Sequence, residues 1–294
     1  MITGYGIILE NDILYLSDEN KYPKFEIILF VTKFLRVFNP KQTWRLNKIC
    51  LKNSKMEKER ILIKHYINEN KNLLFFVSGN FKNNSYEIDN MLSEFFEKVR
   101  MLYYTTDLIK QASKKRVFKE TLKIITDFLR DKYKILLEKE DIKQKVNINP
   151  TTKILYSGIS TQGLPIISQL YDKTLLNNLN KEINSENIDL FNSLLSAQLA
   201  TIEMNTIIRA QTNIKEIHIA DLEDKENKKI ILFSNINNYS LCVFSSGDLF
   251  KIKNLIKLLK IQISKEAILK EEFSGHLKPY KYLEKYFSEV DKEF

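Results

Sequence analysis

The sequence predicts an α+β fold made of two consecutive α/β/α sandwiches, each with a five-stranded antiparallel sheet and flanking helices. The chain has 294 residues, which is long enough for two domains that each bury a core of their own. Hydrophobic residues make up 44% of it and charged residues 28%, as in an ordinary globular protein. One order of elements, ββαβββα, occurs twice along the chain. We therefore predict domains at residues 1–145 and 150–270 and a helical tail at residues 271–294.

The first unit opens with a predicted β-hairpin. Apolar runs at residues 2–9 and 13–16 flank a polar segment at residues 10–12, a spacing typical of two strands joined by a tight turn. Apolar residues then recur at helical spacing over residues 25–38, and Asn39-Pro40 ends that helix. Three further strands are predicted over residues 43–52, 59–68 and 72–79.

Two long amphipathic helices complete the first unit. Residues 85–104 carry apolar side chains at positions i, i+3, i+4 and i+7 throughout, which is the spacing of a helix that buries one face. Residues 116–138 repeat this pattern, with Phe118, Leu122 and Leu129 on one stripe. The polar stretch from Glu138 to Pro150 interrupts the pattern and predicts the boundary between the domains.

The second unit repeats the order of the first. Strands are predicted over residues 152–160 and 164–171, on either side of the glycine turn Thr161-Gln162-Gly163. Ser185 is a suitable N-cap for a helix that runs to about Arg209. Strands follow over residues 214–222, 228–236 and 240–246, and then a helix from Leu249 to Ile263. After Gly275, four aromatic residues predict a short amphipathic helix that docks on either domain: Tyr280, Tyr282, Tyr286 and Phe287.

This repeated order, with its short first turn, resembles the longin domain family and its structural relative, the roadblock domain. In the second half, residues 154–167 (ILYSGISTQGLPII) resemble the opening hairpin of that superfamily. Residues 189–197 and 213–221 are similar to the helix and third strand of archaeal longin-like proteins. The resemblance covers most of residues 1–265, and the first half matches by order and helix pattern only. Because a roadblock domain begins with a helix, residues 116–138 are either the last helix of the first unit or the first helix of the second.

The resemblance implies a non-catalytic interaction protein. Longin domains of eukaryotes pair through strand edges and helices and present the paired surface to a small GTPase, as in exchange-factor complexes, transport-particle subunits and adaptor subunits. A chain of this family is expected to bind or regulate a small GTPase, to bind another longin or roadblock protein, or to scaffold a trafficking-type complex at a membrane. The resemblance leaves open whether it acts as exchange factor, activator or scaffold.

Motifs that would indicate an enzyme are missing from the sequence. It has seven glycines and neither of the phosphate-binding patterns G-x-G-x-x-G and G-x-x-x-x-G-K-[ST], so we expect neither a GTPase nor a kinase. The three histidines are dispersed, and the two cysteines, Cys50 and Cys242, lie far apart in apolar runs, where buried thiols are expected. We therefore predict no catalytic residue, no metal site and no cofactor.

Positive charge is concentrated in one window. The formal net charge is +9, and residues 98–145 contain fourteen basic and seven acidic residues. A solvated helix face explains such a run, as does a site for anionic lipid headgroups or an acidic protein partner. Nucleic acid is the less favoured partner, because arginines are few and no ladder of aromatic residues offers a stacking platform. The basic patch is defined as Lys114, Lys115, Arg116, Lys119 and Lys123.

The first predicted helix is apolar nearly all round. Besides the stripe that faces its sheet, the helix carries a second apolar face, which must also be buried against another element or protein. Either both faces are buried inside the chain, or the second face is a partner interface for another copy or a different longin protein. The candidate interface residues are Ile27, Phe30, Val31 and Phe34.

Two classes of function remain open at this point. The first is the interaction protein described above, and the alternative is a small-ligand sensor or enzyme with a pocket in an α/β sandwich. No stretch reaches the roughly 18 consecutive apolar residues of a membrane span, and the N-terminal residues lack the pattern of a signal peptide. We therefore expect a cytoplasmic protein, or one peripheral to a membrane.

Overall fold

The computed structural model describes residues 2–53, 55, 57–68, 71–81, 85–138, 151–179, 184–223 and 228–290. In these residues the chain forms ten strands and seven α-helices, and the strand pairings described below are antiparallel. The predicted α+β class is confirmed. From residue 139 on, the stretch predicted as the domain boundary lies outside the described residues.

The chain folds into two compact units. Within the described residues, unit 1 comprises residues 2–26 and 47–138, and unit 2 comprises residues 27–46 and 151–290. Residues 27–46 precede the boundary predicted from the sequence, yet they are part of the unit formed by the second half of the chain.

The strands of the first half run in the order β2-β1-β5-β4-β3. A tight turn joins β1 to β2, and Glu10 in that turn has a left-handed backbone with φ of 57°. Residues 48–52 of β3 pair with β4 in unit 1. The five strands are β1 (Ile2–Leu9), β2 (Asp12–Leu16), β3 (Trp44–Asn53), β4 (Lys58–Asn68) and β5 (Lys71–Gly79).

Four helices belong to the first half of the chain: α1 (Tyr22–Phe38), α2 (Ser85–Leu102), α3 (Thr106–Ala112) and α4 (Arg116–Glu138). The sequence does not predict α3, because seven residues are too few to show an apolar period. Its start is fixed by Thr105, whose hydroxyl oxygen accepts a hydrogen bond from the backbone N–H of Leu108 at 3.2 Å.

The core of unit 1 lies between its sheet and the helices α2 and α4. Tyr5 and Phe75 from the strands meet Phe95 of α2, with ring centres 5.8 and 5.0 Å from that of Phe95. Phe118 and Leu122 of α4 are buried in the same cluster. The helix that the sequence left unassigned, residues 116–138, is therefore part of unit 1.

Unit 2 repeats the strand order of the first half, as β7-β6-β10-β9-β8. Its long helix α5 is capped by Asn184, which accepts a hydrogen bond from the backbone of Asn187 at 2.8 Å, so the N-cap is one residue earlier than predicted. The elements are β6 (Lys153–Thr161), β7 (Leu164–Leu170), α5 (Ser185–Ala210), β8 (Thr212–Asp221), β9 (Lys229–Ile236), β10 (Tyr239–Ser246), α6 (Leu249–Ile263) and α7 (Glu284–Val290).

The C-terminal segment completes the core of unit 2. Tyr280, Leu283 and Phe287 are at most 2% exposed and pack with α6 and the strands. The hydroxyl oxygens of Tyr239 and Tyr280 lie 2.7 Å apart, and the Tyr171 hydroxyl donates to the carbonyl of Phe287 at 2.8 Å. The tail predicted at residues 271–294 is thus, in its described part, an integral layer of unit 2.

Candidate functional site

The α1 face predicted as a partner interface is largely buried. That face consists of Ile27, Phe30, Val31 and Phe34, of which all but Phe30 are at most 1% exposed. Phe30 is half-buried, and the guanidinium carbon of Arg209 on α5 lies 5.3 Å from the centre of its ring. Further along α1, the rings of Phe38 and Phe191 meet edge to face at 5.4 Å. This face therefore offers little exposed surface to a separate protein.

The basic patch lies at the start of α4 and in the turn before it. All five of its side chains are exposed: Lys114, Lys115, Arg116, Lys119 and Lys123. Arg116 pairs with Glu120 at 2.7 Å and Lys119 with Glu19 at 2.5 Å. The other three lysines make no ion pair with any residue that the structure describes. Among the described residues, the positive charge of these three lysines is therefore not neutralised by a direct ion pair.

A row of exposed apolar side chains runs along α4 beside these cations. We call it the outer stripe, and it consists of Val117 (67% exposed), Ile124 (72%), Phe128 (49%) and Ile135 (70%). Intervals of 7, 4 and 7 residues place the four on one line of the helix, roughly 27 Å long at 1.5 Å per residue. The amino group of Lys98 lies 4.7 Å from the ring centre of Phe128, so a cation also borders the stripe on the α2 side.

Sequence reasoning missed the outer stripe, although the signal was present. Phe118, Leu122 and Leu129 satisfy the helical period and face the core, so α4 needs no second apolar face in order to fold. Exposed apolar residues that share one line of such a helix make it a candidate binding surface.

Contacts across unit 1 hold α4 rigidly in place. The carboxylate of Glu94 on α2 accepts hydrogen bonds from Lys132 at 2.6 Å and from the hydroxyl of Tyr133 at 3.0 Å. The hydroxyl oxygens of Tyr15 on β2 and Thr126 on α4 lie 3.2 Å apart. The outer stripe is thus carried by a helix that side-chain contacts join to both α2 and β2.

Unit 2 contains a different kind of candidate, a cleft of about 410 Å³. It lies beside the start of β6, the ends of β8 and β10, and the segment between α1 and β3. Its walls carry hydroxyl, amide and charged groups with few apolar ones. The charged lining residues are Lys153, Asp172, Asp221, Glu223 and Lys229.

The inner wall of the cleft is an ion pair against an aromatic ring. Lys229 donates to the carboxylate of Asp221, which is only 7% exposed. The Lys229 amino group also lies 5.3 Å from the ring centre of Trp44, and that ring meets Phe244 edge to face at 5.8 Å. Each charge therefore has a partner, as buried charges require. The ion pair between Asp221 and Lys229 is thus a permanent part of this wall.

The fold and these two sites define an α+β protein with duplicated strand order, an exposed helix face and a charged cleft. Neither a family model nor a curated protein matches the chain. Of the helices in the part of the chain that the structure describes, none combines the length and apolarity that crossing a bilayer requires.

Proposed function

We propose that this protein is a non-catalytic interaction protein, a tandem longin module that docks on an anionic membrane surface and there binds or regulates a small GTPase, alone or with another longin or roadblock protein. The observation that carries the proposal is the outer stripe of α4 with the basic patch beside it. The repeated strand order supports the tandem part of the proposal.

An apolar ridge bordered by cations is the chemistry of a helix that lies in a membrane interface. The unpaired lysines of the basic patch, Lys114, Lys115 and Lys123, contribute about 1 kcal/mol each near an anionic surface. Insertion of the four stripe residues adds up to about 1.5–3 kcal/mol for each side chain that is fully buried. The two contributions act together, because Lys123 and the stripe are exposed on α4, and Lys114 and Lys115 are exposed in the turn that precedes it.

Lipid is the partner that fits the stripe and the patch together. An acidic protein would neutralise the lysines but would need a matching apolar groove of roughly 27 Å to cover the stripe. A bilayer supplies both an anionic headgroup layer and an apolar interior without any shape matching.

The experiment that tests this surface is co-sedimentation with vesicles of phosphatidylcholine, with and without 30% phosphatidylserine. We expect the wild-type chain to bind the anionic vesicles and to be released by salt, because the charged part of the attraction is screened. The triple variant Lys114→Glu, Lys115→Glu, Lys123→Glu and the double variant Ile124→Ser, Phe128→Ser should each lose at least tenfold in vesicle affinity.

A matched control uses the exposed lysines of α6 in unit 2. The variant Lys251→Glu, Lys257→Glu, Lys260→Glu changes the net charge of the protein by the same amount at residues that are also exposed. It should bind vesicles nearly as well as the wild type if α4 is the docking helix. Equal losses in the two triple variants would contradict the assignment of docking to α4, because α6 also exposes Phe250 and Leu258 beside its lysines. Unchanged sedimentation of the α4 variants would contradict the proposal as well.

The partner part of the proposal is tested separately, on the vesicles. Small GTPases of the same genome, loaded with GDP or with a GTP analogue, are added to vesicles with and without the bound chain. Recruitment of one GTPase that depends on the chain and on the nucleotide is the expected result. If none is recruited while the chain itself is bound, the membrane part stands and the GTPase part is wrong.

A further inference from the structure

The cleft of unit 2 is large enough for a small ligand. Its volume of about 410 Å³ falls within the range of known small-molecule sites. All of its lining residues belong to unit 2. Asn39 holds one edge in shape, since its side-chain oxygen accepts hydrogen bonds from the backbone N–H groups of Thr43 at 2.7 Å and Trp44 at 3.3 Å.

Some charges of the cleft are already satisfied and others are available. Asp221 and Lys229 neutralise each other at the inner wall. Lys153 and Glu223 are exposed, and Asp172 is half-buried; none of the three makes an ion pair within the part of the chain that the structure describes. Among the lining residues that the structure describes, the available charges of the cleft are therefore two negative and one positive.

Asp172 is held in position although it lacks a cation. Its Oδ1 atom accepts hydrogen bonds from the backbone N–H and the hydroxyl of Thr174, at 2.9 and 2.5 Å. The backbone N–H of Asp172 donates a hydrogen bond to the carbonyl of Leu155 at 3.3 Å. Leu155 lies two residues from Lys153 on β6. Asp172 and Lys153 thus both line the cleft from its β6–β7 side.

We propose that this cleft binds a free basic amino acid, such as lysine or ornithine. Such a molecule carries two positive groups and one negative group, which complement the available charges of the cleft. Its carboxylate pairs with Lys153, and its two amino groups pair with Asp172 and Glu223. The wall hydroxyls supply further hydrogen bonds to the polar ends. This binding is separate from membrane docking, because it uses unit 2 alone.

The test is isothermal titration calorimetry on the full chain with four probes. L-lysine and L-ornithine carry the full charge pattern, norleucine lacks the side-chain amine, and 1,5-diaminopentane lacks the carboxylate. We expect both basic amino acids to bind and both partial probes to bind at least tenfold more weakly. Failure of L-lysine to bind at 10 mM, or equal binding of norleucine, would overturn the proposal.

Variants of the cleft residues show which charged group of the ligand each residue binds. Lys153→Met should weaken L-lysine binding at least fivefold and leave the weak binding of 1,5-diaminopentane unchanged or stronger. Asp172→Asn should weaken both probes. Lys257→Met and Asp189→Asn remove the same charges at exposed positions of unit 2 outside the cleft lining and should change nothing. If the cleft variants and these controls have the same effect on L-lysine binding, the cleft is not the site.

Discussion

Units 1 and 2 arrange five antiparallel strands in the same relative order, yet they expose different chemistry. Each hairpin has a glycine four residues before a left-handed turn residue: Gly6 precedes Glu10, with φ of 57°, and Gly158 precedes Gln162, with φ of 46°. Their surfaces differ, because unit 1 exposes the outer stripe of α4 and unit 2 contains the charged cleft. The comparison teaches that strand pairing fixes the core of each unit, while residues outside that core are free to acquire separate roles.

The paired glycines show how closely the two cores correspond. In unit 1, a Cβ atom on Gly6 would lie 2.2 Å from the ring of Phe76, which packs on Phe25 at 4.7 Å. In unit 2, a Cβ atom on Gly158 would lie 2.3 Å from the hydroxyl of Tyr156. Each glycine therefore leaves space for one buried aromatic ring on its own sheet.

The largest expected effect separates the two faces of α4. Phe118 is 1% exposed and Ile124 is 72% exposed, so only the first loses core packing when it is shortened. We expect Phe118→Ala to lower the free energy of unfolding by about 3–5 kcal/mol and Ile124→Ala to change it by less than about 0.5 kcal/mol. Urea denaturation followed by circular dichroism measures both values. A comparable loss in the two variants would mean that the outer stripe is buried rather than exposed.

The second prediction tests whether the glycines of the two units are equivalent. Gly6→Ala and Gly158→Ala should each destabilise the protein by roughly 1–3 kcal/mol, because the added methyl group forces a buried ring to move. Gly275→Ala is a poor control because φ there is 87°, so Lys134→Ala at an exposed position of α4 is used instead. Thermal unfolding of the three variants gives the comparison. If only one glycine variant is destabilised, the correspondence of the two hairpins does not extend to their packing.

The repeated element order was predictable from sequence because each element buries a continuous apolar pattern. The stripe of Phe118, Leu122 and Leu129 predicted α4, and its correct assignment to unit 1 required the contacts with Phe95. The grouping of residues 27–46 with unit 2 was not predictable, since an all-round apolar helix indicates burial but not the element that covers it. The cleft was also missed, because Asp172, Asp221 and Lys229 come from separate strands and loops and show no motif along the chain.

The smallest expected effect contrasts one carboxyl group in each unit. For Glu94 in unit 1, burial alone would raise the pKa, but hydrogen bonds from Lys132 and Tyr133 outweigh it and lower the pKa below 4.5. For Glu203 in unit 2, which is 7% exposed, burial raises the pKa, and the hydrogen bond from Ser240 only partly offsets this. The charged form is therefore favoured by folding at Glu94 and disfavoured at Glu203.

These directions give opposite dependences of stability on pH. A lowered pKa stabilises the folded state above the unfolded value, and that contribution is lost as the pH falls through the folded pKa. A raised pKa has the reverse effect, so stability falls as the pH rises above the unfolded value.

Glu94→Gln should thus lower the unfolding temperature at pH 7, by the equivalent of roughly 0.5–1 kcal/mol for a partly exposed pair, and lower it less at pH 4. Glu203→Gln keeps the acceptor for Ser240 and should raise the unfolding temperature at pH 7, with a smaller gain at pH 4. If the unfolding temperatures of both variants changed in the same direction between pH 4 and pH 7, the opposite pKa directions of Glu94 and Glu203 would be contradicted.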